Sequence, residues 1–102
     1  MSFPKLLLTL SPRAALDFEE ILFYSLAIWG ERQMNVYKTS LDNAFEEISS
    51  FPEIGVSREA IRTRLRSRRV REHIVYYEIL ANFIVVRRIL HVKRDVDNVE
   101  DW

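Results

Sequence analysis

The chain has 102 residues, no cysteine and 48% hydrophobic side chains, which suits one domain over residues 1–102 and excludes disulfides and thiolate metal sites. No apolar run approaches the roughly 20 residues of a membrane span, and Met1–Leu10, with one lysine and a short apolar run, lacks the pattern of a cleaved signal peptide, so a cytoplasmic protein with no membrane contact is expected. The formal net charge of zero hides an asymmetry: residues 1–55 hold four basic and eight acidic side chains, whereas residues 56–94 hold eleven and three, a basic half suited to an anionic partner.

Lys5–Leu10 (KLLLTL) reads as a short strand that ends at Ser11-Pro12. Ser11 is placed to cap a helix, with Pro12 at its first position, where the missing N–H costs nothing. Ala14, Phe18, Ile21, Leu22, Ser25, Ile28 and Trp29 then recur at spacings of three and four, one face of a helix. Asp17, Glu19 and Glu20 put negative charge in its early turns, which suits the helix dipole, and Gly30 is the stop. Met34, Tyr37, Leu41, Ala44, Phe45 and Ile48 form the stripe of a second helix, which Pro52 ends by disfavouring helix at Phe51. So short a connection folds the two helices into an antiparallel hairpin. Phe51–Gly55 turns the chain, and Ser57–Ile61 has room for one helical turn.

Arg62–Arg71 reads as a strand with six arginines in ten positions. The two-residue period puts Arg64, Arg66, Arg68 and Val70 on one face and Leu65, Ser67 and Arg69 on the other. His73–Leu80 and Phe83–Leu90 follow, each of strand length and composition. Only Ala81 and Asn82 separate them, the length of a tight turn, and Asn tolerates the positive φ such turns need. The expected fold is α+β in the order β-α-α-β-β-β, with the helical hairpin packed on an antiparallel sheet. Both faces of the last two strands are largely apolar. The hairpin covers one face; the other needs the chain's own ends or a partner. The acidic tail from about Asp95 to Trp102 has no clear periodicity.

Several chemistries lack their residues. Two glycines leave no phosphate-cradling loop, His73 and His91 have no metal-ligand spacing, and no serine sits in a GxSxG elbow, so neither cofactor nor metal is expected. The arginine strand is the strongest signal, because the first acid after Glu59 is Glu72. It fits an anion-binding surface, or else an edge strand charged against aggregation. Charge beside apolar strands makes Arg64, Arg66, Arg68, Arg69, Arg87, Arg88 and Arg94 the candidate contacts. His73, Tyr76 and Tyr77 sit where packing accounts for them, while His91 ends its strand beside Lys93 and Arg94. A metal-independent endoribonuclease is possible to assemble from His91, Arg66 and Tyr77, with arginine holding the phosphate and His or Tyr moving the proton.

Taken in order, a set of short pieces resembles the RelE/ParE superfamily of bacterial toxins, and its ParE branch in particular. Ser11, Ala14, Ala15 and Asp17 open the first helix and Trp29-Gly30 closes it; Tyr37 and Leu41 mark the second. Phe51-Pro52 with Gly55 forms the turn, Leu65-Arg66 opens the sheet, and His73-Ile74-Val75-Tyr76-Tyr77 makes the next strand. Arg88-Ile89-Leu90-His91 with Arg94-Asp95 comes last. The resemblance implies a toxin of a type II toxin–antitoxin (plasmid stabilisation) module, neutralised by a small antitoxin, of ribbon-helix-helix type for a ParE pair. Operator DNA would be reached only through the antitoxin complex. ParE members are inhibitors of DNA gyrase; RelE members cleave mRNA on the ribosome; a degenerate member would keep antitoxin binding alone. The extra arginines in Ser67–Glu72 depart from the ParE pattern and would also suit RNA, whereas HVKRD at the end follows it. The resemblance therefore points to binding without covalent chemistry, with the ribonuclease as the alternative.

Overall fold

The computed structural model describes residues 5–102, so the first four residues of the Met1–Leu10 stretch lie outside the described residues. The elements are β1 (Leu7–Leu10), α1 (Pro12–Trp29), α2 (Glu31–Ser50), a 3-10 turn at Pro52–Ile54, β2 (Val56–Ser57), β3 (Leu65–Val70), β4 (His73–Leu80), β5 (Phe83–His91) and a 3-10 turn at Val96–Asn98. The α+β class and the expected order hold, with β2 added as a two-residue edge strand. The five strands form one sheet in the order β1-β5-β4-β3-β2. It is mixed rather than wholly antiparallel: β1 lies parallel to β5, Leu7 beside Phe83 through Leu10 beside Val86. Tight turns force the later strands to alternate, whereas the whole helical hairpin separates β1 from the sheet and permits a parallel partner.

Local chemistry sets the helix ends as expected. Ser11 Oγ accepts the Ala14 N–H at 3.1 Å and Pro12 opens α1. Ser11 also donates its hydroxyl to the Arg87 carbonyl at 3.0 Å, which fastens the start of α1 to β5. Gly30 closes α1 at φ +93°, a left-handed backbone suited to glycine. Ala14 and Ile21 of α1 and Leu41 and Ile48 of α2 pack onto Val75, Tyr77, Ile84 and Val86 of the sheet. Each fully buried aliphatic side chain of this kind contributes about 1.5–3 kcal/mol. The last turn of α1 is left uncovered, so Ile28 and Trp29, expected on its buried stripe, are exposed. Among the described residues no helix is long and apolar enough to cross a membrane.

Two boundaries differ from expectation. β3 begins at Leu65 rather than Arg62, because Arg58–Arg64 is taken up by turns, one of them closed by the Arg62 N–H on the Arg58 carbonyl at 3.2 Å. In the β4–β5 turn the positive φ, +30°, falls on Ala81 rather than on Asn82. The sheet face away from the helices is covered by the chain itself: Val99 is buried against Leu65, Tyr76 and Leu90, with Val96 and Trp102 beside it.

Candidate functional site

β1 accompanies β5 only to Val86, which leaves the outer edge of β5 open beyond that point. Buried backbone donors need acceptors, and Asp17 of α1 supplies one: its Oδ2 accepts the Ile89 N–H at 3.0 Å and Arg88 Nε at 2.8 Å. Asp17 Oδ1 accepts Arg88 Nη2 at 3.2 Å, and Asp101 Oδ1 accepts Arg88 Nη1 at 2.6 Å. The hydrogen bonds that Arg88 donates to Asp17 hold its guanidinium above the usual pKa. Arg88 is 1% exposed. It is therefore a buried tie between sheet edge and helix, not the surface contact expected of it.

Three more of the candidate arginines are engaged within the chain. Arg87 and Arg62 close on the two oxygens of the buried Glu78 carboxylate, at 3.2 and 2.7 Å. Arg66 Nη1 donates to the Gly55 carbonyl at 2.9 Å, and Arg68 Nη2 meets Glu47 of α2 at 2.6 Å. Arg64, Arg69 and Arg94 stand exposed.

The residues expected of a ribonuclease are not brought together. Tyr77 is wholly buried; its Oη donates to the Pro52 carbonyl at 2.7 Å and accepts the Gly55 N–H at 2.9 Å. Burial raises its pKa, so the phenol stays protonated and serves the turn before β2. His91 pairs across the strands with His73, four positions along β4 from Tyr77 and so about 13 Å away at 3.3 Å per residue.

His91 instead belongs to a row that sequence reasoning missed. Tyr37 Oη accepts the Glu72 N–H at 3.1 Å and is hydrogen-bonded to His73 Nδ1. Burial pushes His73 down to about 4, with the neighbouring His91 adding to the shift, and burial pushes Tyr37 up. At neutral pH a neutral His73 ring therefore shares a hydrogen bond with the Tyr37 hydroxyl. His73 stands edge-on to His91, centroids 5.3 Å apart, and His91 Nδ1 accepts the Lys93 N–H at 3.1 Å. The row forms one wall of a cleft of about 650 Å³ whose other walls include Tyr24, Trp29, Gln33 and Arg94. Among the described residues no group of three or more His, Asp or Glu is placed to hold a metal ion.

The second feature missed is the outer side of α1. Leu16, Phe23, Tyr24, Leu26, Ile28 and Trp29 are all exposed, Phe23 to 73%. Its sequence signal was present: Ile21–Trp29 of α1 carries no charged side chain, and a solvent-facing helix segment of that kind lacks the expected polar side.

A helical hairpin over one face of a mixed sheet, with exposed apolar side chains on α1 and arginine-rich strands beneath, is the α+β architecture expected from the resemblance to RelE/ParE proteins. The comparisons narrow this. The profile described as ParE toxin of type II toxin-antitoxin system, parDE, matches residues 8–96. Toxin ParE1 of Caulobacter vibrioides is 32% identical over 82 residues, which cover 80% of this chain and 84% of that protein. A solved chain of the chromosomal ParDE TA system from P. aeruginosa superposes with a TM-score of 0.76, covering 89% of this chain and all of that one, at 14% identity; it speaks to the fold alone. The chain belongs to the ParE toxin family of type II toxin–antitoxin systems.

Proposed function

We propose that the chain is a cytoplasmic toxin, one domain over residues 1–102, that acts by binding and inhibiting DNA gyrase and is neutralised by a cognate ribbon-helix-helix antitoxin. Operator DNA is reached only through the complex with that antitoxin. The observation that carries a binding mechanism is the separation of Tyr77 from His91: a nuclease needs its proton-transfer group beside the cations that hold the phosphate, and Tyr77 is sealed under the helices. The exposed apolar side of α1 supports a protein partner, since contiguous apolar surface of that kind marks an interaction site. Arg64, Arg69 and Arg94 supply exposed positive charge for the acidic residues of antitoxin or target.

The test is a supercoiling assay with purified gyrase. The folded chain should block supercoiling, and the product of the adjacent reading frame should restore it. Normal supercoiling in the presence of excess folded chain would refute the gyrase target. Cut mRNA on ribosomes would replace it with a RelE-like ribonuclease, built then from Tyr37, His73 and His91. Co-purification with the neighbour and neither activity would leave a member that only binds antitoxin. His91→Ala should leave toxicity near the parent's level if the protein acts by binding.

A further inference from the structure

The sheet face turned away from the helices has an apolar centre, Leu65, Tyr76 and Leu90, each 4% exposed or less. Guanidinium groups surround it. Arg58 Nε donates to Ser67 Oγ at 2.9 Å, Arg62 and Arg87 flank it on Glu78, and Arg88 reaches it at the open edge of β5. Residues 95–102 lie across this face, and their chemistry is its complement. Apolar side chains come at every third position, Val96, Val99 and Trp102, and the segment carries four acids, Asp95, Asp97, Glu100 and Asp101.

The manner of attachment is that of a ligand. Val99 is buried, and Trp102 stands edge-on to Tyr76 with centroids 5.3 Å apart. Asp101 meets Arg88 at 2.6 Å with one oxygen and Arg13 at 3.1 Å with the other. The backbone-to-backbone hydrogen bonds within the segment are local, Asn98 N–H to Asp95 O and Val99 N–H to Val96 O, both 3.3 Å; among the described residues none pairs it with a strand's backbone, and the Asp101 carbonyl accepts only the Arg88 side chain, at 3.5 Å. Side-chain anchors and one carboxylate hold it, without strand pairing.

We infer that this face is a docking surface for an acidic segment with apolar side chains at every third position, and that residues 95–102 occupy it in cis. Charge selects the occupant: Arg58, Arg62, Arg87 and Arg88 rim this face, Arg88 takes Asp101 of the segment at 2.6 Å, and the segment carries four acids. Leu65, Tyr76 and Leu90 would form one bare apolar patch without the segment, and contiguous apolar surface seeks cover. A partner of the same chemistry therefore enters by exchange with the chain's own segment. A short tether gives that segment an effective concentration on the order of millimolar, which is what an untethered competitor must exceed. This goes beyond the gyrase reading and holds whichever target the toxin has.

The experiment uses the full chain carrying Trp29→Phe, an exposed position, so that Trp102 is the one remaining tryptophan. The probe is a synthetic peptide of residues 95–102 with Trp102→Phe. Its addition should move Trp102 emission to the red as the tethered segment leaves, half-way at roughly millimolar peptide. With Asp101→Asn in the chain, both ion pairs, to Arg88 and to Arg13, lose their charge while one amide oxygen can still accept, so the peptide needed should fall by at least about tenfold. A peptide with lysine at its acidic positions should not compete. The inference is overturned if no emission shift occurs in either chain at tenfold higher peptide, or if the lysine peptide competes equally. It is overturned too if labelled peptide binds while Trp102 emission stays fixed. A concentration-dependent dimer that Asp101→Asn abolishes would place the segment on a neighbouring copy and overturn occupancy in cis. Gyrase is absent from every arm, so these outcomes are independent of the supercoiling assay.

Discussion

Asp17→Asn is the sharpest probe of how this fold is held. Asp17 accepts three hydrogen bonds, two from Arg88 and one from the Ile89 N–H, at 2.8 to 3.2 Å, and it is 5% exposed. The amide keeps one acceptor oxygen but turns an NH2 group toward a guanidinium, donor against donor, and removes the charge. Breaking a buried ion pair by removing one partner costs about 3–5 kcal/mol. Asp101 still holds Arg88 Nη1 from the solvent side, so the low end, about 3 kcal/mol, is expected. At a urea slope of about 1–3 kcal/mol per molar, the midpoint should fall by roughly 1–3 M, read by circular dichroism. Replacing both partners, Asp17→Leu with Arg88→Met, should recover part of the loss. It should not recover all, because the Ile89 N–H then lacks an acceptor, at about 1–3 kcal/mol. A midpoint shift below about 0.3 M for Asp17→Asn, less than 1 kcal/mol on that slope, would refute the claim that this carboxylate closes the β5 edge.

Other outcomes follow from the same geometry. His73 sits at about 4 in the fold against 6.5 when unfolded, so the unfolded chain takes up the proton first as pH falls. The stability that neutral His73 contributes is complete above pH 6.5 and lost between 6.5 and 4; discounted for half-burial it is about 1–2 kcal/mol. His73→Gln should flatten that part of a urea-midpoint profile against pH. A Cβ on Gly55 would lie 2.5 Å from Tyr77 Oη and 2.9 Å from the Ser67 carbonyl, so Gly55→Ala should cost about 1–3 kcal/mol in thermal or urea unfolding. Tyr77→Phe leaves the Gly55 N–H without its acceptor and should cost about 1–2 kcal/mol while toxicity per folded molecule stays unchanged in a growth assay.

What could be read from the sequence was what repeats. The α2 stripe from Tyr37 to Ile48 and the ends of β4 announce themselves by period and by Gly, Pro and short turns. What could not be read was pairing at long range. Asp17 reads as a dipole-compensating acid in an early turn, and nothing local tells that β5 arrives 71 residues later with an open edge. The parallel place of β1 is hidden for the same reason: it depends on where β5 ends up, not on KLLLTL. Ala81 takes the positive φ because the strand registers fix the turn, overriding the preference of Asn82. For the candidate site, His91 and the arginines were visible as residue types, but their partners were not. Tyr37 reads as one more stripe residue until β4 brings His73 against it.

The fate of the arginine run shows how charge counts along a sequence mislead. The run is acid-poor between Glu59 and Glu72, yet Glu47 comes to Arg68 from α2, Glu78 to Arg62 from β4, and the Gly55 carbonyl to Arg66. Those side chains spend their charge inside the fold. Arg64 and Arg94 do not, and Arg69, which meets the Arg71 carbonyl at 2.9 Å and Glu72 at 4.0 Å, does so at the exposed surface; all three lie on turns or near a strand end, where a partner has access. Charge reversal should therefore sort the arginines into two groups. Arg68→Glu sets a carboxylate against Glu47 and Arg66→Glu removes a turn's donor, so both should lower the unfolding midpoint, by about 1–3 kcal/mol. Arg69→Glu and Arg94→Glu should leave the midpoint within about 0.5 kcal/mol and weaken association with the antitoxin, mainly by slowing the on-rate at low salt. Unfolding curves and surface-plasmon kinetics on the same four proteins decide it. Equal loss of stability in both groups, or antitoxin binding untouched in the second, would show that the exposed arginines are not the ones that meet the partner.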